Sequence, residues 1–382
     1  AELCRKTNLA CQELLSQRDR YRRQSPLKKG DRIYTETSAN SPTLTILYSR
    51  KKWKKPFAFK INQLHYQKLK DRYVQVHENE GKRDTSSQST TTVATKDFSS
   101  YWPPSSLISY SYHKKDDSPS KDTILDRSFN VIVLALLLRY SALSGGQLLD
   151  DLRGGGMQGS IHGSVFQVLQ TRFSAGNSSW LEGFASPFNA TLSRFASVFP
   201  DLDWHFGSVG TFFDCTFNSD VGDDSEFIEA NPPFTPGIMQ AMADHILRVL
   251  HYADVNKRRL TFVVVIPSAS KDNPSDKDGA AVVKKAASCS FESMVSSSHC
   301  TKHIRLRARE HGYVEGSQHL RPTMYKQSSY DTSVIILQSV EAMNEVSGGN
   351  TLEQLEMDLR RTFASRHKEE LNDRKRKRKS QC

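Results

Sequence analysis

The segment LTFVVVIP, residues 260 to 267, constrains the fold more than any other part of this chain. It contains no charged side chain, so a strand formed by it must be buried on both of its faces. Burial on both faces is typical of a central strand in a parallel sheet that is covered by helices. The segment therefore predicts an α/β protein.

The segments around it alternate between strand and helix patterns. Strands are predicted at 178–186, 225–230, 260–267 and 332–340, and helices at 189–199 and from residue 236 onward. The second of these helices has apolar residues three and four positions apart, with Thr235 as a cap and Pro236 at its first position. This alternation predicts a doubly wound sheet, in which ligands bind outside the carboxyl ends of the strands.

Composition divides the chain into four parts. These are a basic N-terminal region (1–120), a helical domain (121–175), the α/β domain (176–345), and a C-terminal helix with a basic tail (346–382). The helical domain contains an apolar helix from about residue 122 and a second helix at 161–173. Residues 268–298 are rich in serine and lysine without apolar periodicity, which predicts a mobile insertion in the α/β domain.

The charge of the chain favours an anionic partner. The formal net charge is +11 and the sequence pI is about 9.3, which points to nucleic acid first and to an anionic membrane surface second. The longest apolar run, residues 131–138, is too short to span a membrane. The tail RKRKRK is interpreted as a nuclear localisation signal, with an RNA-contacting strip or a solvated run as alternatives, so we expect the nucleus.

Cysteine and histidine spacing gives no metal site. The six cysteines are scattered without a CxxC motif, which indicates reduced thiols in an intracellular protein. One cluster, Cys289, His299, Cys300 and His303, fits no established zinc pattern, so we predict no metal.

The tetrapeptide NPPF lies at the carboxyl end of the strand predicted at 225–230. An adenine amine is a poor nucleophile, and two acceptors aimed at its N–H bonds would favour a tetrahedral nitrogen. The side-chain oxygen of Asn231 can be one acceptor, and the carbonyl of Pro232, held rigid by Pro233, can be the other. Phe234 can stack on the base. The tetrapeptide could instead be a strand-ending turn, but its strand–loop–helix context favours amine methylation.

The segment EGFASPFN, residues 182 to 189, ends the first strand of the α/β domain. In methyltransferases S-adenosylmethionine lies over the sheet at this point, and the small residues Ala185 and Ser186 would let the backbone approach it. Asp201 or Asp203, after the next predicted helix, could accept hydrogen bonds from the ribose hydroxyls, as acidic residues do in dinucleotide-binding folds. Asp201 could equally be a surface residue at a helix end.

Six strings occur in order along the chain: FASPFN, FPDLDWHFGSVGTFFD, FIEANPPF, FVVVIP, VEGSQHL and YDTSVIILQ. Over roughly residues 120–340 the chain resembles the cap-specific adenosine N6-methyltransferase family, known in animals as the phosphorylated-CTD-interacting factor. The resemblance implies a Rossmann-like, S-adenosylmethionine-dependent methyltransferase domain preceded by a helical domain. It implies methyl transfer to N6 of the first transcribed (2′-O-methyl)adenosine beside the 7-methylguanosine cap of mRNA.

The resemblance also implies roles for particular residues. The catalytic residues would be Asn231, Pro232, Pro233 and Phe234. The cofactor-binding residues would be Glu182, Phe184, Ala185, Ser186, Pro187 and Asn189, with Asp201 and Asp203 added from the ribose hypothesis. The substrate-binding residues near the rim of the site would be Gly316, Ser317, Gln318 and His319.

The family also has features that this sequence does not supply clearly. Trp53 and Trp102 are too far apart for a WW domain, so association with RNA polymerase II is doubtful. Trp204 and Trp53 are open candidates for stacking on the cationic 7-methylguanine, although a tryptophan is more often a core residue. The alternative functions are another NPPF-type methyltransferase, acting on DNA or internal RNA adenine or on protein glutamine, and a non-catalytic cap- or RNA-binding module.

Overall fold

A computed structural model describes residues 32–37, 41–49, 54–83, 121–143, 159–173, 179–215, 225–268, 290–321, 324–345, 352–364 and 372. These residues group into two compact units. The first lies within Ala1–Gln63 and Asp97–Leu138, and the second within Leu64–Lys96 and Arg139–Cys382. Residues 64–83 therefore belong with the second unit, whereas composition alone left residues 1–120 as one region.

The first unit contains a three-stranded antiparallel sheet, β1 (Arg32–Thr37), β2 (Thr43–Ser49) and β3 (Phe57–Asn62), in that order. Its buried residues include Ile46 and Ile61. Helix α1 (Gln63–Arg83) follows β3 directly and passes into the second unit. Helix α2 (Lys121–Leu143) is the apolar helix expected from about residue 122, and the unit boundary falls within it, after Leu138.

The second unit is built on a mixed five-stranded sheet in the order β5–β6–β7–β11–β8. Strands β5 (Ser179–Glu182), β6 (Glu226–Ala230) and β7 (Leu260–Pro267) are parallel. Strand β11 (Thr332–Gln338) pairs antiparallel with both β7 and β8 (Cys300–Leu306). The α/β class is confirmed, with a mixed rather than wholly parallel sheet.

Helices cover both faces of this sheet, which explains the composition of β7. All eight of its residues are buried, and alternate residues point into two different cores. One core includes Phe262, Val264 and helix α5 (Pro236–Val255). The other includes Val263, Val265, helix α3 (Gly163–Phe173) and the helix at 352–364, which we call α8.

The remaining elements are short. They are β4 (Gly159–Ser160), β9 (Gly312–Glu315) and β10 (Tyr325–Gln327), which form a small antiparallel sheet, with helices α4 (Pro200–Asp203), α6 (290–295) and α7 (Val340–Glu345). Helix α6 falls inside the segment that the sequence assigns to a mobile insertion, yet its Ser290 and Met294 are fully buried. Residues 269–289 of that segment lie outside the described residues. Within the described part of the chain, no helix is long and apolar enough to cross a membrane.

The helix predicted at 189–199 is not formed. These residues make an irregular loop that touches the sheet through short bridges of Phe195 with Glu182 and with Ser208. Backbone groups of residues 190–192 bond to side chains from elsewhere in the chain, so they are not available for helical hydrogen bonds. The apolar spacing that suggested a helix comes from a loop packed inward.

Candidate active site

The loops that follow β5 and β6 leave the sheet side by side. The two strands are parallel and Glu182 is paired in register with Glu229, so residues 183–189 and 231–234 emerge at the same edge. A cavity of about 290 Å³ opens there. Its lining is mainly apolar and consists of Tyr140, Leu143, Gly183, Phe184, Ala185, Ser186, Asn189, Ala196, Ser197, Val198, Thr211, Phe212, Phe213, Asn231, Pro233 and Ile238.

Gly183 brings the two loops into close contact. Its N–H donates to the carbonyl oxygen of Glu229 at 2.7 Å. A Cβ atom at this position would lie 2.8 Å from that oxygen and 2.9 Å from the ring of Phe212, closer than such atoms can approach. Only glycine therefore fits here without moving the backbone of β6 or the wall of the cavity.

The next turn is closed by Asn189. Its side-chain oxygen accepts hydrogen bonds from the N–H of Ser186 at 2.7 Å and from the hydroxyl of Ser186 at 2.8 Å. Both residues are buried, and both line the cavity together with Ala185 and Phe184. Pro187 is buried in the same turn but does not line the cavity.

Two basic side chains of helix α1 hold the carbonyl groups of the following residues. The ammonium group of Lys68 donates to the carbonyl of Phe188 at 2.9 Å. The guanidinium group of Arg72 donates to the carbonyls of Ala190 and Leu192 at 2.8 and 2.9 Å. Burial, reinforced by the nearby Arg72, lowers the pKa of Lys68 to about 8.

Glu182 holds the same loop from the opposite side. Its fully buried carboxylate accepts hydrogen bonds from the N–H groups of Thr191 and Leu192, at 2.7 and 3.1 Å, and from the hydroxyl of Ser160 at 2.5 Å. Burial raises the pKa of Glu182, while these donors and Lys68 lower it. The side chain does not line the cavity, and both of its oxygens accept from donors of the protein itself, so its position fits a loop-ordering role.

The two aspartates proposed for ribose binding also lie outside the cavity lining. Asp201 is paired with Arg139 at 2.6 Å. Asp203 is fully buried, and it accepts a hydrogen bond of 2.7 Å from the hydroxyl of Tyr140, which does line the cavity. Burial raises the pKa of Asp203 to about 7. Sequence spacing located the right neighbourhood but missed Tyr140, which lies 63 residues earlier.

The end of β6 differs because its polar side chains have no partners. Asn231 is 2% exposed and lines the cavity, yet neither its oxygen nor its nitrogen has a hydrogen-bond partner among the described residues. The same is true of both carboxyl oxygens of Glu229, which is completely buried. Pro233 lines the cavity, and Pro232 is buried beside it.

Phe234 lies among aromatic side chains. Its ring centre is 5.9 Å from that of Tyr313 and 5.6 Å from that of Tyr330, both in edge-to-face arrangements. It is partly buried and packs against both hydrophobic cores. We call Phe234, Tyr313 and Tyr330 the aromatic group.

The loop Gly316–Gln318 is a short 3-10 turn directly after β9, and the backbone of Gln318 ends it. Ser317 is buried, and so is His319, whose ring stacks on that of Phe188 with 5.2 Å between the ring centres. Gly316, Ser317 and His319 do not line the cavity, and the side chain of Gln318 lies outside the described part of the chain. Their position next to residues 183–189 is nevertheless close to the site.

Three of the remaining candidates are described by the structure, namely Trp204, His299 and His303, and none of them lines the cavity. Trp204 stacks on His205 at 3.9 Å in a cluster with Tyr73 and His77, and it does not line the cavity. Trp53 and Cys289 lie outside the described residues. The imidazoles of His299 and His303 make hydrogen bonds with Gln338 and Ser333.

Comparison with known proteins places these residues in a family. The family model described as "Phosphorylated CTD interacting factor 1 WW domain" matches residues 109–316, more than half of the chain and every residue that lines the cavity. Two curated relatives, from Mus musculus and Homo sapiens, are both named mRNA (2'-O-methyladenosine-N(6)-)-methyltransferase. Each is 32% identical over 244 residues, which are 63% of this chain and 29% of the relative. The match thus spans less than a third of the length of either relative.

Proposed function

This chain belongs to the phosphorylated CTD interacting factor 1 family, and we propose that it transfers a methyl group from S-adenosylmethionine to N6 of the first transcribed (2′-O-methyl)adenosine of capped mRNA. One observation carries the proposal. The amide of Asn231, buried and without a hydrogen-bond partner among the described residues, lines a partly open apolar cavity at the carboxyl ends of two parallel strands. This is the edge of an α/β sheet at which ligands bind.

The size and the lining of the cavity are compatible with S-adenosylmethionine. Its volume of about 290 Å³ is close to the lower limit for small-molecule sites, roughly 300 Å³. The loop from Gly183 to Ser186 brings the backbone to its wall, and Phe184, Phe212 and Phe213 supply apolar contacts for a purine. Tyr140 and Ser197 offer hydroxyl groups to a ribose in place of the carboxylate expected from the sequence. The bound cofactor would supply an electrophilic methyl group.

The chain would then act on the target amine by positioning it. The oxygen of Asn231 accepts from one N–H of the amine, and the carbonyl of Pro232 accepts from the other, which favours a tetrahedral nitrogen. Phe234 stacks on the base and, with the other two rings of the aromatic group, limits its movement. Holding the reacting atoms in line accounts for most of the rate in such a site, without an obligatory general base.

The architecture supports a Rossmann-like methyltransferase domain. Three parallel strands carry the two loops of the site, and the sheet is completed by the antiparallel strand β11. Helices α2 and α3 precede the sheet in the chain and support the proposed helical domain. The proposed partner is capped mRNA, because the basic chain suits an anionic ligand, and the proposed location is the nucleus, because of the RKRKRK tail.

The proposal is tested by incubating the protein with labelled S-adenosylmethionine and matched substrates. These are capped RNA beginning with adenosine, the same RNA without the 7-methyl group, uncapped RNA, DNA and protein, followed by nucleoside analysis. The ionic strength should be about 0.15 M, where surface charges more than about 8 Å apart are largely screened. We expect N6-methyladenosine at the first transcribed position of the capped RNA, and far less product from the others.

Other outcomes would identify the alternatives. Equal methylation of an internal adenosine in uncapped RNA or DNA would indicate a general adenine methyltransferase. Labelled protein would indicate glutamine as the acceptor. Tight binding of capped RNA without transfer under any condition would indicate a binding module.

A further inference from the structure

Glu229 is unusual among the buried acids in the described part of the chain. It is completely buried, and neither of its carboxyl oxygens has a hydrogen-bond partner. A buried polar group without a partner costs about 1–3 kcal/mol, so it calls for an explanation, of which a binding or catalytic role is one. None of the features discussed for the methylation site so far uses this side chain.

Glu229 does not line the cavity proposed for the cofactor, and its neighbours are those of the aromatic group instead. Alternate residues of a strand share a face, so Glu229 points to the same side of β6 as Phe227, which belongs to the core beneath the aromatic group. Tyr313, a member of that group, lies close enough for the charge of Glu229 to affect its pKa. Phe234 touches Tyr313 and lies five residues after Glu229. Asn231 lies between them in the chain and lines the cofactor cavity.

The surroundings of Glu229 keep its carboxyl group neutral. Burial and then repulsion by Glu182 raise the pKa of Glu229 well above its ordinary value. Glu182 has three hydrogen-bond donors and feels the charge of Lys68, so it is the first of the pair to ionise. Glu229 has no donor among the described residues, so its surroundings favour the protonated form. A protonated carboxyl group can donate a hydrogen bond, which a carboxylate cannot.

We propose that Glu229 is a specificity-determining residue that donates a hydrogen bond from its neutral carboxyl group to a ring nitrogen of the target adenine. This rests on the proposed function, because Asn231 must accept from the neighbouring amine. Adenine presents an N–H donor beside a ring-nitrogen acceptor, whereas guanine presents its O6 acceptor where adenine has the amine. An acceptor from Asn231 beside a donor from Glu229 therefore matches adenine and mismatches guanine.

The test pairs variants of Glu229 with changes in the base. Glu229→Gln keeps a donor of the same size, and Glu229→Met removes the donor but fills the space. On capped RNA beginning with adenosine, we expect kcat/KM of Glu229→Gln to stay within about threefold of wild type. We expect that of Glu229→Met to fall about 10- to 100-fold, the range for one specific base contact. Cofactor affinity, measured by calorimetry, should be the same in all three proteins.

The second arm uses substrates in which 1-deazaadenosine or 7-deazaadenosine replaces the target adenosine, so that one ring nitrogen becomes C–H. Wild type should lose about 10-fold or more with the analogue that lacks the accepting nitrogen. Glu229→Met should lose almost nothing further with that same analogue, since the hydrogen bond is already absent. A purely structural role would not produce this coupling.

Two results would overturn the assignment, and they differ from a failure of the proposed function. Full activity of Glu229→Met on the natural substrate would show that Glu229 does not contact the base. Equal losses from Glu229→Met on natural and both deaza substrates would show that it acts only through the fold. Inactivity of the wild-type protein on every adenosine substrate would overturn the proposed function, and this assignment with it.

Discussion

The loops that follow β5 and β6 are neighbours in space but opposites in their hydrogen bonding. In the first, Asn189 closes a turn and Glu182, Lys68 and Arg72 occupy the backbone groups of residues 188–192. At the end of β6 and the start of the second loop, the four polar side-chain atoms of Glu229 and Asn231 are buried without a hydrogen-bond partner among the described residues. The polar groups of the first loop are satisfied within the protein, whereas under the proposed function those of the second are satisfied by the bound substrate.

This difference shows how a site can combine a rigid loop, after β5, with a loop after β6 whose polar groups are free to bind a ligand. A pocket for a cofactor benefits from a fixed wall, because ordering a loop during binding reduces affinity. Groups that accept hydrogen bonds from a reacting amine must have no partner before the amine binds. Until then, each such buried group lowers the free energy of unfolding by about 1–3 kcal/mol. The hydrogen bonds of the loop after β5 therefore offset the cost of the unpartnered side chains of Glu229 and Asn231 beside it.

The largest effect should come from exchanging an asparagine in each loop for alanine. Asn231→Ala should lose about 10²-fold or more in turnover, because one preorganised polar contact is removed. Its melting temperature should stay constant or rise, because no hydrogen bond within the protein is broken. Asn189→Ala is the matched control, since it leaves the buried N–H of Ser186 without an acceptor and should lower the melting temperature. Comparable turnover of Asn231→Ala and wild type would remove Asn231 from the mechanism.

A smaller effect is expected when the loop after β5 loses the hydrogen bonds that Arg72 donates to it. Arg72→Ala leaves the carbonyls of Ala190 and Leu192 without their donor, which should cost about 2–3 kcal/mol in the free energy of unfolding. Affinity for S-adenosylmethionine should fall by roughly tenfold, because the wall of the cavity is less ordered. Arg248→Ala, at an exposed position on α5, is the control and should change neither quantity. Unaltered cofactor affinity in Arg72→Ala would mean that the loop keeps its shape without α1.

Substitution of Phe234 tests whether the loop after β6 binds the target base through the aromatic group. Stacking on a base is worth about 1–3 kcal/mol by alanine substitution, so Phe234→Ala should reduce kcat/KM for the RNA by roughly tenfold. Phe234→Tyr retains the ring and should keep most of the activity. Equal inactivity of the two folded variants would exclude stacking as the role of this ring. Cofactor affinity should be unchanged in both.

The smallest effect is a dependence of stability on pH. Because the pKa of Glu229 is raised by burial and by Glu182, its contribution to stability is fully present below about pH 4.5 and is lost as the pH rises towards its folded pKa. One such group lowers the free energy of unfolding by at most about 1.4 kcal/mol per pH unit. Glu229→Gln should flatten this slope in denaturant titrations between pH 5 and 8. Parallel slopes for wild type and variant would show that Glu229 is ionised in the folded protein.

Much of the fold could be predicted because it depends on local patterns. Strand β7 has the bounds that its apolar run predicts, and α5 begins at Pro236 as its pattern requires, although the side chain of Thr235 makes no capping hydrogen bond. The direction of β11 was not predictable, because an apolar strand carries no mark of whether it runs parallel or antiparallel. The helix predicted at 189–199 does not form, because side chains from distant segments bind the backbone groups that a helix would need.

The site was predictable to the level of the loops but not of individual side chains. Asn231, Pro233 and the small residues Ala185 and Ser186 line the cavity that the sequence suggested. The acids Glu182, Asp201 and Asp203 were expected to contact the cofactor, but their partners belong to the protein itself. Several of those partners come from α2 and β4, far away in the chain. Spacing along one segment holds no information about such contacts.

Helix α1 also sets an order of events during synthesis. Arg72 and Lys68 are 118 to 120 residues earlier in the chain than the carbonyls they bind, and α1 precedes the part of the chain that the family model matches. At about 5–20 residues per second, a ribosome needs roughly 6–24 seconds to travel that distance. During this interval the two basic side chains have no acceptor and remain in water. The contacts between α1 and residues 188–192 therefore form only long after α1 has been synthesised. The cavity beside that loop takes its final shape late in the synthesis of the chain.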